Sequence, residues 1–421
     1  MKILHLNSYK DNGGAGKAAS RINLALQNQG IDSELWVNFS PHNSKVKTFS
    51  SGIINHGFTA AAIVLERIIS KLNLKPLKTP FSFSLFGKDI SAHPSVIQAD
   101  ILHLHWINHA FMRPADLAKL GKLGKPIVWT FHDSNAFTGG CHVRYSCDHF
   151  KRECGNCPLL KSPYPNDWSH RIWKRKAKAY SDMKFHVIAP SKWMADSVKQ
   201  SKLLSNRNIH VIHNTLNTEV FKPLSKQESK KQIHINNKTF VMLSGFMPSR
   251  NDRHKGTSYL IKALEIIIKE IAAEQIELLV FGNRNQKNLP DFPVKVTFLG
   301  KIESEEELAK CYSAADVFLA PSLEDNLPYT VMESLACGTP VVAFKTGGIP
   351  DMVKHKENGY LADYKSFEDL ARGIKWVFDH PERQYLNDQA RQTVENLFSP
   401  AVIASRHIEL YKSLIFKDVS A

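Results

Sequence analysis

The sequence contains no run of 18 or more consecutive apolar residues, so no segment of it qualifies as a transmembrane helix. Its first residues, MKILHLNS, enter a strand pattern at once. They lack the long apolar stretch and small-residue cleavage site of a signal peptide, so the cytoplasm is the expected compartment. Short repeats and low-complexity tracts are absent. No clear GxGxxG follows a strand with an acid about 20 residues on, which argues against a nicotinamide dehydrogenase. Acidic residues are in deficit: 40 Asp and Glu against 55 Lys and Arg give a net charge of +15. That balance suits nucleic acid, anionic lipid or a phosphate-bearing substrate. The basic residues are spread along the chain and form no known recognition module, so a nucleic-acid partner is not expected. A basic, zinc-containing nucleic-acid-binding protein is kept as the rival class.

Cysteine is scarce, with six in 421 residues. Four of them, Cys141, Cys147, Cys154 and Cys157, fall within 17 residues, spaced Cys-x5-Cys-x6-Cys-x2-Cys. In a reducing compartment such a cluster suggests metal more than disulfides. Four thiolates make a closed structural zinc set, and His142 or His149 could replace one of them. Free or redox-paired cysteines are the alternative.

Present in quantity are short apolar strands alternating with helical patterns. KILHLNS, ADILHLHWI, KPIVWTFHD and FHVIAPS form one series. TFVMLSG, IELLVFG, VKVTFLG, DVFLAPS and PVVAF form a second. Near-continuous apolar strands between helices indicate parallel sheets covered on both faces, here in two doubly wound α/β domains. The polar stretch near Pro223 marks the expected boundary, giving domains 1–223 and 224–398. A last helix, at about 399–416, could cross back to the first domain. Residues 57–88 combine an amphipathic helix with lysines and a Phe-rich tail. This reads either as a helix covering the sheet or as a basic, apolar surface for a membrane.

Ligands of open parallel sheets bind beyond the C-terminal ends of the strands, and four motifs fall there. NGGAGKAA, with Gly13 and Gly14, follows the first strand and can bring backbone amides to a phosphate, or can be a plain tight turn. WTFHD places His132 at a strand end. SGFMPSRNDRHKG sets Arg250, Arg253 and Lys255 before a helix, as a diphosphate site or a solvated basic loop. LEDNLPYTVMESLACGTPVV has Asp325 and Glu333 astride a helix start, with Pro328 in its first turn and Gly338 at its end.

Together these motifs resemble a retaining glycosyltransferase of family four, with the GT-B fold: two Rossmann-like domains facing a central cleft. The similarity covers most of the chain and is strongest over PSLEDNLPYTVMESLACGTPVVAFKTGGIPDMV. Relatives of this type serve bacterial surface-polysaccharide biosynthesis. The resemblance implies that Glu333 holds the ribose of a UDP- or GDP-sugar and Asp325 the transferred sugar. Lys255 and an arginine, Arg250 or Arg253, bind the diphosphate. Asn326, Leu327, Thr330 and Val331 line the donor, His132 lies against its sugar, and Gly13 and Gly14 lie under the diphosphate. Asp325 stands where the family usually has Glu, and Asn326-Leu327-Pro328 replaces its Gly-Phe-Gly, which bears on the donor sugar. The reaction so implied is front-face substitution with retention, needing no catalytic metal. The acceptor is a glycan or lipid-diphosphate-linked glycan, extracellular, capsular or lipopolysaccharide in type, met at the inner face of the plasma membrane. A GT-B glycan phosphorylase would share the fold, but the sequence offers no pyridoxal-phosphate lysine.

Overall fold

The computed structural model describes residues 1–10, 12–40, 46–50, 53–76, 80–245, 255–282 and 291–417. It divides into two compact units, Met1–Thr215 with Ile403–Ala421, and Leu216–Val402. The break therefore lies at Leu216, upstream of Pro223. The reason is apolar: Leu216 and Phe221 are buried in the second unit's core.

The first unit carries seven parallel strands. They are β1 (Lys2–Asn7), β2 (Asp32–Val37), β3 (Lys47–Thr48), β4 (Ile101–Leu104), β5 (Ile127–Thr130), β6 (His186–Ala189) and β7 (Ile209–Val211). Their order is β3-β2-β1-β4-β5-β6-β7. The connection thus reverses between β1 and β4, which makes the switch point at which doubly wound sheets bind ligands. Side chains alternate between the faces of a strand. Leu4, Leu6, Leu102 and Leu104 enter one core, and Ile3, Ile101 and Val128 enter the other. The second core is closed by the helix Gly13–Asn28, through Ile22, Ala25 and Leu26, and by Ile403, Tyr411 and Leu414 of the helix Pro400–Lys417. From Ile403 onward the chain has accordingly returned to the first unit.

The same alternation carries polar side chains. His5 and His103 are register partners on β1 and β4, and each follows the isoleucine of its strand by two residues. His105, Thr130 and His132 continue the parity of Ile101 and Val128. One face of the sheet therefore gathers four imidazoles near the strand ends.

The second unit carries six parallel strands. They are β8 (Phe240–Gly245), β9 (Ile276–Phe281), β10 (Lys295–Gly300), β11 (Val317–Ala320), β12 (Val341–Phe344) and β13 (Gly359–Ala362). The order β10-β9-β8-β11-β12-β13 repeats the topology of the first unit, with its switch point between β8 and β11. The helix Phe367–Asp379 begins where Ser366 Oγ accepts from the Asp369 amide at 3.1 Å, an N-cap bond. No helix of the described residues is long and apolar enough to cross a membrane.

Candidate active site

In the first unit, a cavity of about 350 Å³ opens at the β1/β4 switch point. Asn7 and Tyr9 approach it from the end of β1, and Gly13 and Gly14 from the start of the following helix. Trp106 comes from the end of β4, and His132 with Asp133 from the end of β5. Sequence-predicted Gly13, Gly14 and His132 thus meet in one cavity.

Asp133 is tied into the wall. Its Oδ2 accepts from Trp106 Nε1 at 2.8 Å and meets His142 Nδ1 at 2.6 Å, while Oδ1 accepts from the Asn135 amide at 2.8 Å. Burial alone would raise its pKa, but the facing His142 and these hydrogen bonds bring it below the ordinary carboxylate value. The half-buried His132 goes the other way: burial lowers it to about 4, against the opposing pull of Asp133. It is a neutral imidazole at pH 7, suited to hydrogen bonding rather than to carrying charge.

In the second unit, a loop of residues 321–328 joins β11 to the helix Tyr329–Ala336. Lys255 Nζ lies 3.2 Å from Asp325 Oδ2, with the two side chains 30 % and 23 % exposed. Such a half-exposed pair contributes little stability, but it sets a lysine at the end of β11. Two glycines are required for this packing. Gly256 has φ +67°, and a Cβ there would stand 1.9 Å from the Pro321 carbonyl oxygen. Gly347 has φ +56°, and its Cβ would stand 1.9 Å from the Asp325 carbonyl oxygen. The Gly348 amide donates to that same oxygen at 3.0 Å.

Several expectations change here. Pro328 is the N-cap of the helix, not part of its first turn. Glu333 is 2 % exposed, and its Oε2 accepts from the buried Tyr312 hydroxyl at 3.1 Å. Leu327 and Val331 bury their side chains in the core. Asn326 and Thr330 remain half-buried at the helix start. Arg250 and Arg253 lie outside the described residues.

The cysteine loop also differs from expectation. Among the described residues, the set of three His, Cys, Asp or Glu side chains whose ligand atoms lie within 4.8 Å of one another is His5, His103 and His105, not the cysteines. The thiols of Cys141, Cys147, Cys154 and Cys157 lie near enough to raise one another's pKa, without three of the sulfurs within 4.8 Å of one another. Burial pushes the Cys141 and Cys157 thiols up and Cys154 to about 12. Cys154 Sγ instead accepts from the Gly139 amide at 3.1 Å. The Phe-rich tail is internal as well: Phe81 and Phe83 pack on Cys157, Leu160 and Ile172.

The groups gathered at each unit's switch point agree with what family comparison finds. A model described as Glycosyltransferase Family 4 matches residues 12–220, and one described as Glycosyl transferases group 1 matches residues 225–393. The chain belongs to glycosyltransferase family 4. This glycosyltransferase is 27 % identical over 336 residues to an uncharacterized glycosyltransferase of Methanocaldococcus jannaschii, across 74 % of this chain and 82 % of the other. It is 24 % identical over 365 residues to WcaC of Escherichia coli, named for colanic acid biosynthesis, across 82 % and 83 % of the two chains. Among solved structures, Anabaena HepE in complex with UDP-glucose superposes with a TM-score of 0.64 at 17 % identity, over 98 % of this glycosyltransferase and all of HepE. That likeness identifies the fold as GT-B.

Sequence reasoning missed the imidazoles behind His132 and the Tyr312 anchor of Glu333. A signal for the first existed: ILHLHW places His103 and His105 two and four residues after buried Ile101, and VWTFH places His132 four residues after buried Val128.

Proposed function

We propose that this glycosyltransferase moves a sugar from a nucleotide-diphosphate sugar, with retention, to a glycan or lipid-linked glycan in surface-polysaccharide synthesis. The observation that carries the reading is Lys255, held at the end of β11 beside Asp325 at a switch point. The HepE complex with UDP-glucose and the naming of WcaC support the donor class and the pathway.

In this reading the donor diphosphate takes Lys255, and the start of the helix Tyr329–Ala336 adds the positive end of its dipole. As the glycosidic bond lengthens, negative charge gathers on the leaving diphosphate, where the ammonium stabilises it. Asp325, released from Lys255, accepts from hydroxyls of the transferred sugar. Glu333, fixed by Tyr312, serves the ribose. His132 offers a neutral ring nitrogen to the sugar. The acceptor attacks from the face that the diphosphate leaves, and its proton passes to that leaving group. A screen of UDP- and GDP-sugars for turnover tests the reading, and no turnover of any donor by folded protein would refute it. Retained turnover in EDTA is expected, and an absolute Mg²⁺ requirement would overturn the role given to Lys255.

Membrane contact belongs to the same proposal and rests on one helix of the first unit. The helix Ile53–Asn73 turns Thr59, Ala62 and Glu66 inward. Outward it presents Phe58, Leu65, Ile68 and Leu72, each 44 % exposed or more. Their spacing runs along one helical stripe. Arg67, Lys71 and Lys75 are exposed beside it. An apolar stripe with cations at its edge fits an anionic bilayer surface, where a lipid-linked acceptor would be met.

A further inference from the structure

Behind His132 runs a file of buried imidazoles that substrate binding does not use. His132 Nε2 lies 3.1 Å from His105 Nδ1, and His105 Nε2 lies 2.9 Å from His5 Nδ1. His5 is fully buried and His105 2 % exposed. The His103 ring stacks on His105 at 4.2 Å. It is itself pinned by the Tyr411 hydroxyl at 2.6 Å and Thr130 Oγ1 at 2.7 Å. A metal at His5, His103 and His105 is a poor fit, because every ring nitrogen of the three except His5 Nε2 is already engaged.

Neutral imidazoles carry one N–H each. Burial keeps these neutral: His5 is lowered to about 3 and His132 to about 4. Two hydrogen bonds in file then require the protons to point the same way. If they point inward, His5 must keep its proton on Nε2. That atom is buried and has no partner among the described residues, and a stranded buried N–H is rare. If they point outward, His5 Nδ1–H donates to His105, and His105 Nδ1–H donates to His132 Nε2. The inner end is then only a bare lone pair.

We infer that His105 and His5 are positioning residues that fix His132 in the tautomer with its proton on Nδ1, so that it meets the substrate as a hydrogen-bond donor. The inference rests on the reading of His132 as a substrate contact. It adds two residues and a direction to that contact: the partner atom on the sugar must be an oxygen lone pair.

Histidine labelled with ¹⁵N in the full-length protein tests this, since long-range proton–nitrogen spectra separate the two tautomers. Absence of its signals in His132→Gln identifies the residue. Wild type is expected to show His132 protonated on Nδ1. His105→Phe is expected to release that preference and to lower kcat about 10-fold, the effect of one neutral hydrogen bond, with the donor KM unchanged. His105→Asn, whose amide nitrogen sits where Nδ1 was, should restore both. The inference is overturned if wild-type His132 carries its proton on Nε2, a measurement that stands even if His105→Phe does not fold. It is also overturned if His105→Phe leaves tautomer and kcat unaltered, or if His105→Asn restores neither. Undiminished transfer by His132→Ala would instead refute the substrate contact, leaving the spectrum to judge the file of imidazoles alone.

Discussion

The two units share one strand order, yet their strand ends carry opposite chemistry. At the switch point of the first unit, glycines, Trp106 and an imidazole backed by buried imidazoles carry no charge, and the carboxylate of Asp133 is already engaged by Trp106 and His142. At that of the second, an ammonium faces a carboxylate, both half-exposed. A common scaffold thus supplies only the location. The sequence at the strand ends decides whether that location binds by neutral hydrogen bonds, as a sugar hydroxyl requires, or by charge, as a diphosphate requires.

The contrast can be broken most forcefully with acid. Burial holds His5 at about 3, His132, His109 and His407 at about 4, and His103 and His105 well below the ordinary value of 6.5. All six belong to the first unit. Between pH 6.5 and about 4 the unfolded chain binds protons that the folded unit refuses, so stability falls as pH falls, by on the order of a few kcal/mol. In the second unit, Asp316 and Asp369 are lowered below the ordinary 3.8. For Asp316, burial raises the pKa and Lys226 and Lys230 outweigh it. Their contribution persists above pH 4 and is lost only below it. Segment-resolved hydrogen exchange at pH 7 and pH 4.5 should show the first unit loosening and the second unchanged. Loosening of the second unit first would contradict the contrast.

Next in size is Lys255→Ala. Transfer should fall about 100-fold, or ~3 kcal/mol in the barrier, with the melting temperature nearly unchanged because the pair is half-exposed. Near-normal initial rates would remove the phosphate role. Glu333→Ala should do the reverse in stability. It strands the buried Tyr312 hydroxyl and should cost about 1–3 kcal/mol by denaturant unfolding. An unchanged midpoint would show that the hydroxyl finds another acceptor. The smallest effect expected is at the outer helix of the first unit. Ile68→Asp should weaken sedimentation with anionic vesicles about 10-fold, roughly the transfer energy of one apolar side chain. High salt should release the wild type, and equal binding to neutral vesicles would end the membrane proposal.

Much of this was legible in the sequence, for identifiable reasons. The near-continuous apolar strands announced two parallel sheets, and the strand-end rule pointed to His132, Gly13, Gly14, Lys255 and Asp325, which lie at strand ends in the fold. Less legible were β2, whose middle is half-exposed, and the four-residue β13. Side-chain direction within the acidic motif was also hidden. Helix Tyr329–Ala336 is buried along most of its length, so Val331 and Glu333 turn inward, which spacing alone does not reveal. The imidazole file needed the β1/β4 register, which only the sheet supplies. The cysteine spacing suggested a zinc set; the fold brings the four thiols near one another but does not bring three of their sulfurs within 4.8 Å.

The proposed transfer cleaves a nucleotide-diphosphate sugar and forms the new bond on the same face. Proton NMR of the first product formed from the turned-over donor reads that outcome before any mutarotation. The anomeric configuration of the donor is expected to be kept. An inverted product would contradict it.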